Sequence, residues 1–185
     1  NRANEQEDLL VRLVTAVGKY WICKRTPNHA YEAMECIGGS GVMEDSMMPR
    51  LYREAPVNTI WEGSGNVQCL DVLRALSKTP AVLDAFFAEV NLARGEQALL
   101  DQHIAALATD LKDLRDFEYR ARDVVDRMAL ALQASLLVRH APALVSETFC
   151  QSRLGQVGQH NYGTLPRGID AGALIARATP RSAKA

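Results

Sequence analysis

The sequence predicts an all-α helical bundle. Apolar residues recur at three- and four-residue spacing through most of the 185 residues, no stretch alternates with the period of a strand, and Met128 to Val138 is apolar nearly all round. A helix buried on most faces needs neighbours on several sides, which is the situation inside a bundle.

The elements follow in order. From Asn4 to Arg25, the residues Leu9, Leu10, Leu13, Val14, Val17, Tyr20 and Trp21 mark one face of a helix. Glu5, Glu7 and Asp8 at its start and Lys24 and Arg25 at its end complement the macrodipole. Thr26-Pro27 reads as the N-cap and first position of a second helix through Ala30, Ala33, Met34 and Ile37, which Gly38-Gly39 ends. A segment rich in glycine, proline and methionine comes next, with a short helix at Pro49 to Ala55 and an extended stretch at Val57 to Trp61. Ser64 or Asn66 then caps a helix carrying Val67, Leu70, Val72, Leu73 and Leu76, which stops before Thr79-Pro80. Helices are expected at 80–93, 95–115, 117–139 and 142–154, with one more short helix near Ala171 to Arg177 before a frayed end.

Composition narrows the function classes. With 21 Lys and Arg against 22 Asp and Glu, the net charge is −1, so no overall field draws the chain to nucleic acid or anionic lipid. No run is long and apolar enough for a membrane span, and the polar, acidic first ten residues do not resemble a signal peptide; a cytoplasmic protein is expected. Cys23, Cys36, Cys69 and Cys150 lie in apolar helical patterns without metal or redox spacing and read as buried free thiols. His29, His103, His140 and His160 are scattered, so no metal site is expected. Met43, Met47 and Met48 read as core filling, with an apolar pocket or subunit contact as the alternative. Numbering opens at Asn1 inside charged sequence without a Met, and a piece of a longer subunit is the expectation.

Chemistry concentrates in residues 35–76. Gly38, Gly39 and Gly41 lack the β-carbons that would keep backbone amides from a phosphate, although the same glycines serve equally as a helix C-cap and turn. Glu62 sits in Trp61-Glu62-Gly63-Ser64-Gly65, where a carboxylate held against an indole would have its charged form disfavoured and suit proton transfer. Capping of the following helix, or pairing with Arg50 or Arg53, is the other role open to it.

Three motifs in order carry a family resemblance: Gly38-Gly39-Ser40-Gly41, then Leu51-Tyr52-Arg53-Glu54, then Trp61-Glu62-Gly63-Ser64. Residues 31–76 resemble the C-terminal helical domain of acyl-CoA dehydrogenases, and MPRLYREAPVNTIWEGSGNV resembles most the AidB-like branch, flavoproteins associated with the adaptive response to DNA alkylation. The resemblance implies that Gly38, Gly39 and Gly41 contact the pyrophosphate of an FAD bound mainly by a neighbouring subunit, hence a homo-oligomer built through the FAD site. It implies that Glu62 is the base removing the α-proton of an acyl-CoA while the β-hydride goes to the flavin. Gly63 and Ser64 inherit flavin contacts, and Trp61 becomes a wall of the acyl pocket. Two positions depart from the pattern: Glu35 stands where typical members have Gln, placing a carboxylate near pyrophosphate, and Trp61 stands where they have Tyr.

The expected division is residues 1–76 as the end of the dehydrogenase helical domain and residues 77–185 as an appended helical domain with a basic tail. The 185 residues alone are expected neither to hold FAD nor to turn over acyl-CoA. One rival function is a DNA-associated protective or interaction module with a vestigial flavin site; another is an ordinary catabolic dehydrogenase. For duplex DNA the candidate contacts are Arg167, Arg177 and Arg181 in the tail, but residues 77–185 hold 13 basic against 12 acidic residues, a weak phosphate footprint. Arg115, Arg120, Arg122 and Arg127 are interleaved with acids and read as a solvated helix face.

Overall fold

The computed structural model describes residues 4–155 and 161–180, and among these every regular element is helical. Helix α1 (Glu5–Ile37) is the spine. Its first turn is closed by a capping box: the Asn4 side chain accepts from the Glu7 amide at 3.0 Å, and the Glu7 carboxylate accepts from the Asn4 amide at 3.1 Å. The expected break at Thr26-Pro27 does not occur; Pro27 lies inside one continuous helix. Thr26 is no cap, because its hydroxyl donates back to the Ile22 carbonyl at 2.9 Å. A proline inside a helix costs about 3 kcal/mol. Burial of Leu13, Ala16, Val17 and Tyr20 before it and Met34 after it offsets that cost.

After α1 the chain makes a 3-10 turn (Gly38–Val42), helix α2 (Met48–Glu54), a second 3-10 turn (Ala55–Thr59), and helix α3 (Gly65–Lys78). The stretch from Val57 to Trp61, expected to be extended, is helical or turn throughout. Pro56 opens the 3-10 turn with its φ already fixed, and the Asn58 amide and Thr59 hydroxyl donate to the carbonyls of Ala55 and Pro56.

The remaining helices are α4 (Ala81–Val90), α5 (Ala98–Asp110), α6 (Phe117–His140), α7 (Ala143–Phe149), which runs on into a π turn (Cys150–Leu154), and α8 (Ala171–Ala178). These match the expected segments, with α5 shorter at both ends. Gln97 caps α5 through its side-chain oxygen, and Asp170 caps α8.

α1 packs against α3, α4 and α6, and α6 also packs against α5 and α7. One hydrophobic cluster joins Leu13, Val17, Val72, Val82, Phe86, Leu100, Leu107, Val124 and Met128. Arg139 of α6 pairs with Glu89 of α4, both largely shielded from water. The cysteines are all free, but only Cys69 and Cys150 are buried; Cys36 is exposed, which corrects the expectation of four buried thiols. Burial pushes the Cys69 and Cys150 thiols up to about 11. No described helix is long and apolar enough to cross a membrane.

Candidate functional site

The glycine loop is built at the C-terminal end of α1, and its three glycines have different structural reasons. Gly38 has φ 72° and ψ −151°, a region closed to residues with a β-carbon. Gly41 is buried against α1, where a β-carbon would lie 2.4 Å from the Met34 carbonyl oxygen. Gly39 has open space where its side chain would be. Nothing in the packing of this chain therefore requires glycine at 39, and a ligand could approach the backbone there closely.

Beyond the loop, Met43 and Met47 are largely exposed, so they do not fill the core as expected. Glu44 receives two hydrogen bonds from the Arg53 guanidinium, at 2.6 and 3.1 Å, which hold its carboxyl below the usual range. Arg50 pairs with Glu54. Both arginines proposed as partners of Glu62 are thus bonded to other carboxylates. Glu35, the departure from the family pattern, accepts a hydrogen bond from the Tyr31 hydroxyl, which raises that phenol above its ordinary value. The Tyr31 and Tyr52 rings lie 6.1 Å apart and, with Lys24, Pro27, Asn28 and Thr59, line an open cleft of about 460 Å³ beside α1.

Glu62 lies in a turn between the second 3-10 turn and α3, with its side chain in solvent. The expected apolar enclosure is not supplied within this chain, because Trp61 is itself 56 % exposed. The backbone at Glu62 is left-handed, φ 54°, and Gly63 follows at φ 105°. A left-handed conformation costs a residue with a β-carbon roughly 1–2 kcal/mol, so the surroundings must hold it. They do so through two side chains. Lys19 Nζ donates to the carbonyls of Asn58 and Gly63, each at 2.9 Å, and Gln68 Nε2 donates to the Glu62 carbonyl at 2.9 Å. Ser64 takes the N-cap position of α3 with extended backbone, without a side-chain bond to the helix amides. Lys19 and Gln68 carried no signal in the sequence, since the partners of Lys19 lie 39 and 44 residues away.

The glycine loop and the Glu62 turn are not brought together. Lys19, which touches the turn, and Gly38 are separated by 19 residues of α1, about 28 Å at 1.5 Å per residue. Around both, Ile37, Val42, Val57, Ile60, Trp61, Val67 and Leu70 leave much of their apolar surface in water.

Residues 1–77 match the sequence profile of the acyl-CoA dehydrogenase C-terminal domain. These residues belong to the acyl-CoA dehydrogenase family. Over 157 residues, 85 % of the chain, it is 38 % identical to AidB of Escherichia coli (strain K12), and over 174 residues, 94 % of the chain, it is 32 % identical to acyl-CoA dehydrogenase family member 11 of Caenorhabditis elegans. The chain spans 29 % and 25 % of the lengths of those two proteins. It superposes with a TM-score of 0.72 and 28 % identity on the crystal structure of Caenorhabditis elegans ACDH-11 in complex with C11-CoA, covering 80 % of this chain and 29 % of that one. The similarity to both curated relatives reaches well past residue 77, so it is AidB-like in its later helices too.

The DNA candidates stand apart from all this. Arg167 and Arg177 are exposed, in the segment before α8 and in α8 itself, and Arg181 lies outside the described residues. Arg115 is bonded to Asp113 and Arg127 to Asp110 and Asp123; Arg120 donates to the carbonyls of Asp113 and Arg115, and Arg122 to Asn66. Among the described residues no group of His, Cys, Asp and Glu is arranged to hold a metal.

Proposed function

We propose that this chain is the C-terminal part of an FAD-dependent, AidB-like acyl-CoA dehydrogenase, in which Glu62 removes the α-proton of an acyl-CoA thioester. Bound FAD would accept the β-hydride. The observation that carries this is the Glu62 turn: a carboxylate presented to solvent from a left-handed backbone that dedicated hydrogen bonds hold in place, beside the exposed indole of Trp61. Holding a costly conformation at a carboxylate fits a group whose direction matters.

The residues present fit the cofactor. The open backbone face at Gly39 suits a pyrophosphate, and Gly63 and Ser64 adjoin the base on the side of α3. About 28 Å of α1 between loop and turn supports a homo-oligomer in which one subunit's glycine loop and another's Glu62 serve the same flavin. The exposed apolar residues around both would be covered in that assembly, and Trp61 would then wall the acyl pocket. Enclosure would also give Glu62 the apolar surroundings that favour proton abstraction.

The test is Glu62→Gln in the full-length protein that carries these residues, assayed by bleaching of the flavin with isovaleryl-CoA. A general base contributes typically about 10²–10⁴-fold, so bleaching should slow by at least about 10²-fold with FAD content unchanged. Bleaching at the parent rate would refute the assignment.

A further inference from the structure

We propose that Lys19, assisted by Gln68, is a positioning residue for the base: it clamps the turn that presents the Glu62 carboxylate. This rests on Glu62 acting as the base. Lys19 projects from the buried part of α1, next to Tyr20, and its ammonium bridges two carbonyls on either side of the reactive residue, Asn58 and Gly63. The carbonyl of Glu62 itself is held by Gln68, one turn into α3. Gly63 completes the arrangement, because a β-carbon there would come within 2.6 Å of Gln68 Nε2. The carbonyl of Asn58 in the second 3-10 turn and those of Glu62 and Gly63 in the turn after it are thereby fixed to two helices that share the core.

An ammonium suits this task chemically. It carries three donors and no acceptor, so it can satisfy two converging carbonyls at once, and its charge strengthens both bonds. Neither bond is made to the Glu62 carboxylate, so Lys19 acts through the backbone, not through a charge pair with the base. The consequence is directional: without the clamp the left-handed turn relaxes and the carboxylate moves away from the substrate carbon, while the glycine loop, 19 residues further along α1, keeps its hold on the cofactor.

Lys19→Met, Lys19→Arg, Gln68→Leu and Glu62→Gln would be compared in the full-length protein. Hydrogen exchange at the Ile60 and Trp61 amides, both bonded to the Val57 carbonyl, reports the turn. In Lys19→Met these amides should exchange faster while the buried stretch of α1 stays protected. Misplacement by about an ångström costs on the order of 10²-fold in rate, so flavin bleaching should slow by that order with FAD content and acyl-CoA affinity unchanged. Lys19→Arg, which keeps charged donors, should recover part of the rate, and Gln68→Leu should reproduce the loss in milder form. If Lys19→Met bleaches normally where Glu62→Gln does not, the positioning role is overturned and the base assignment survives. If Glu62→Gln also bleaches normally, the base assignment falls first. A rate loss in Lys19→Met that merely follows loss of FAD or of the α1 fold likewise overturns the proposal.

Discussion

Replacing each glycine of the 38–41 loop by alanine separates packing from ligand approach. At Gly41 the new β-carbon would lie 2.4 Å from the Met34 carbonyl oxygen and 2.9 Å from Met34 Cγ, where real β-carbons essentially never come within 3.0 Å. The carbonyl belongs to α1 and cannot swing aside, so the loop must move, at a cost of about 1–3 kcal/mol. For a chain of this size 1 kcal/mol shifts the midpoint by about 2–4 °C, so Gly41→Ala should melt roughly 2–12 °C lower. Gly39 is not in the positive-φ region and has nothing within 4 Å of its β-carbon position. Alanine there restricts the unfolded chain without straining the folded one, a gain of about 0.4–1 kcal/mol. Thermal unfolding of this 185-residue chain followed by circular dichroism at the helical minimum measures both. In the full-length protein the order should invert for the cofactor, Gly39→Ala losing FAD without losing fold. A Gly41→Ala chain that melts with the parent, or a Gly39→Ala chain that is the less stable of the two, would refute the reasoning.

Two further outcomes are expected of the chain. Burial lowers the pKa of His103, whose Nε2 donates to the Arg127 carbonyl at 2.8 Å, so the unfolded state binds the proton more readily. Stability should therefore be full above the unfolded value near 6.5 and fall as pH drops below it, and urea titrations should show a smaller acid loss in His103→Gln. With a disulfide-exchange reagent at neutral pH, Cys36 should react first, Cys23 next, and Cys69 and Cys150 only on unfolding, because burial both shields the latter two and holds their thiols near 11.

What the sequence disclosed and what it hid divide along a physical line. The helices after Pro80 were legible because their apolar spacing is decided by burial, which is what periodicity reports. Residues 26–27 misled because Thr-Pro is a local start signal, while the continuity of α1 is decided by distant packing on both sides of it. Val57 to Trp61 was expected to be extended, whereas Pro56 and the side chains of Asn58 and Thr59 bend the backbone locally. At the site, the motif residues could be named from their order, but their support could not. A lone lysine on a helix says nothing of carbonyls that only the tertiary fold brings to it.

The same logic explains why helices beyond the family profile matter to the site. The profile ends at residue 77, yet the cluster that buries Leu13 and Val17 of α1 is completed by Val82 and Phe86 of α4 and by Val124 and Met128 of α6. Tyr20, the residue after Lys19, is buried in it, and its hydroxyl is hydrogen-bonded to Asp126 of α6; burial and that carboxylate hold the phenol far above its ordinary range. On the other side, Arg122 of α6 donates to the Asn66 side chain at 2.6 Å, in the first turn of α3. α6 is thus tied to α1 through Tyr20 and to the start of α3 through Asn66. Those are the two helices from which Lys19 and Gln68 reach the Glu62 turn. The later helices therefore brace the two helices that clamp the Glu62 turn without touching the turn itself, which is how a segment beyond residue 77 can bear on its geometry.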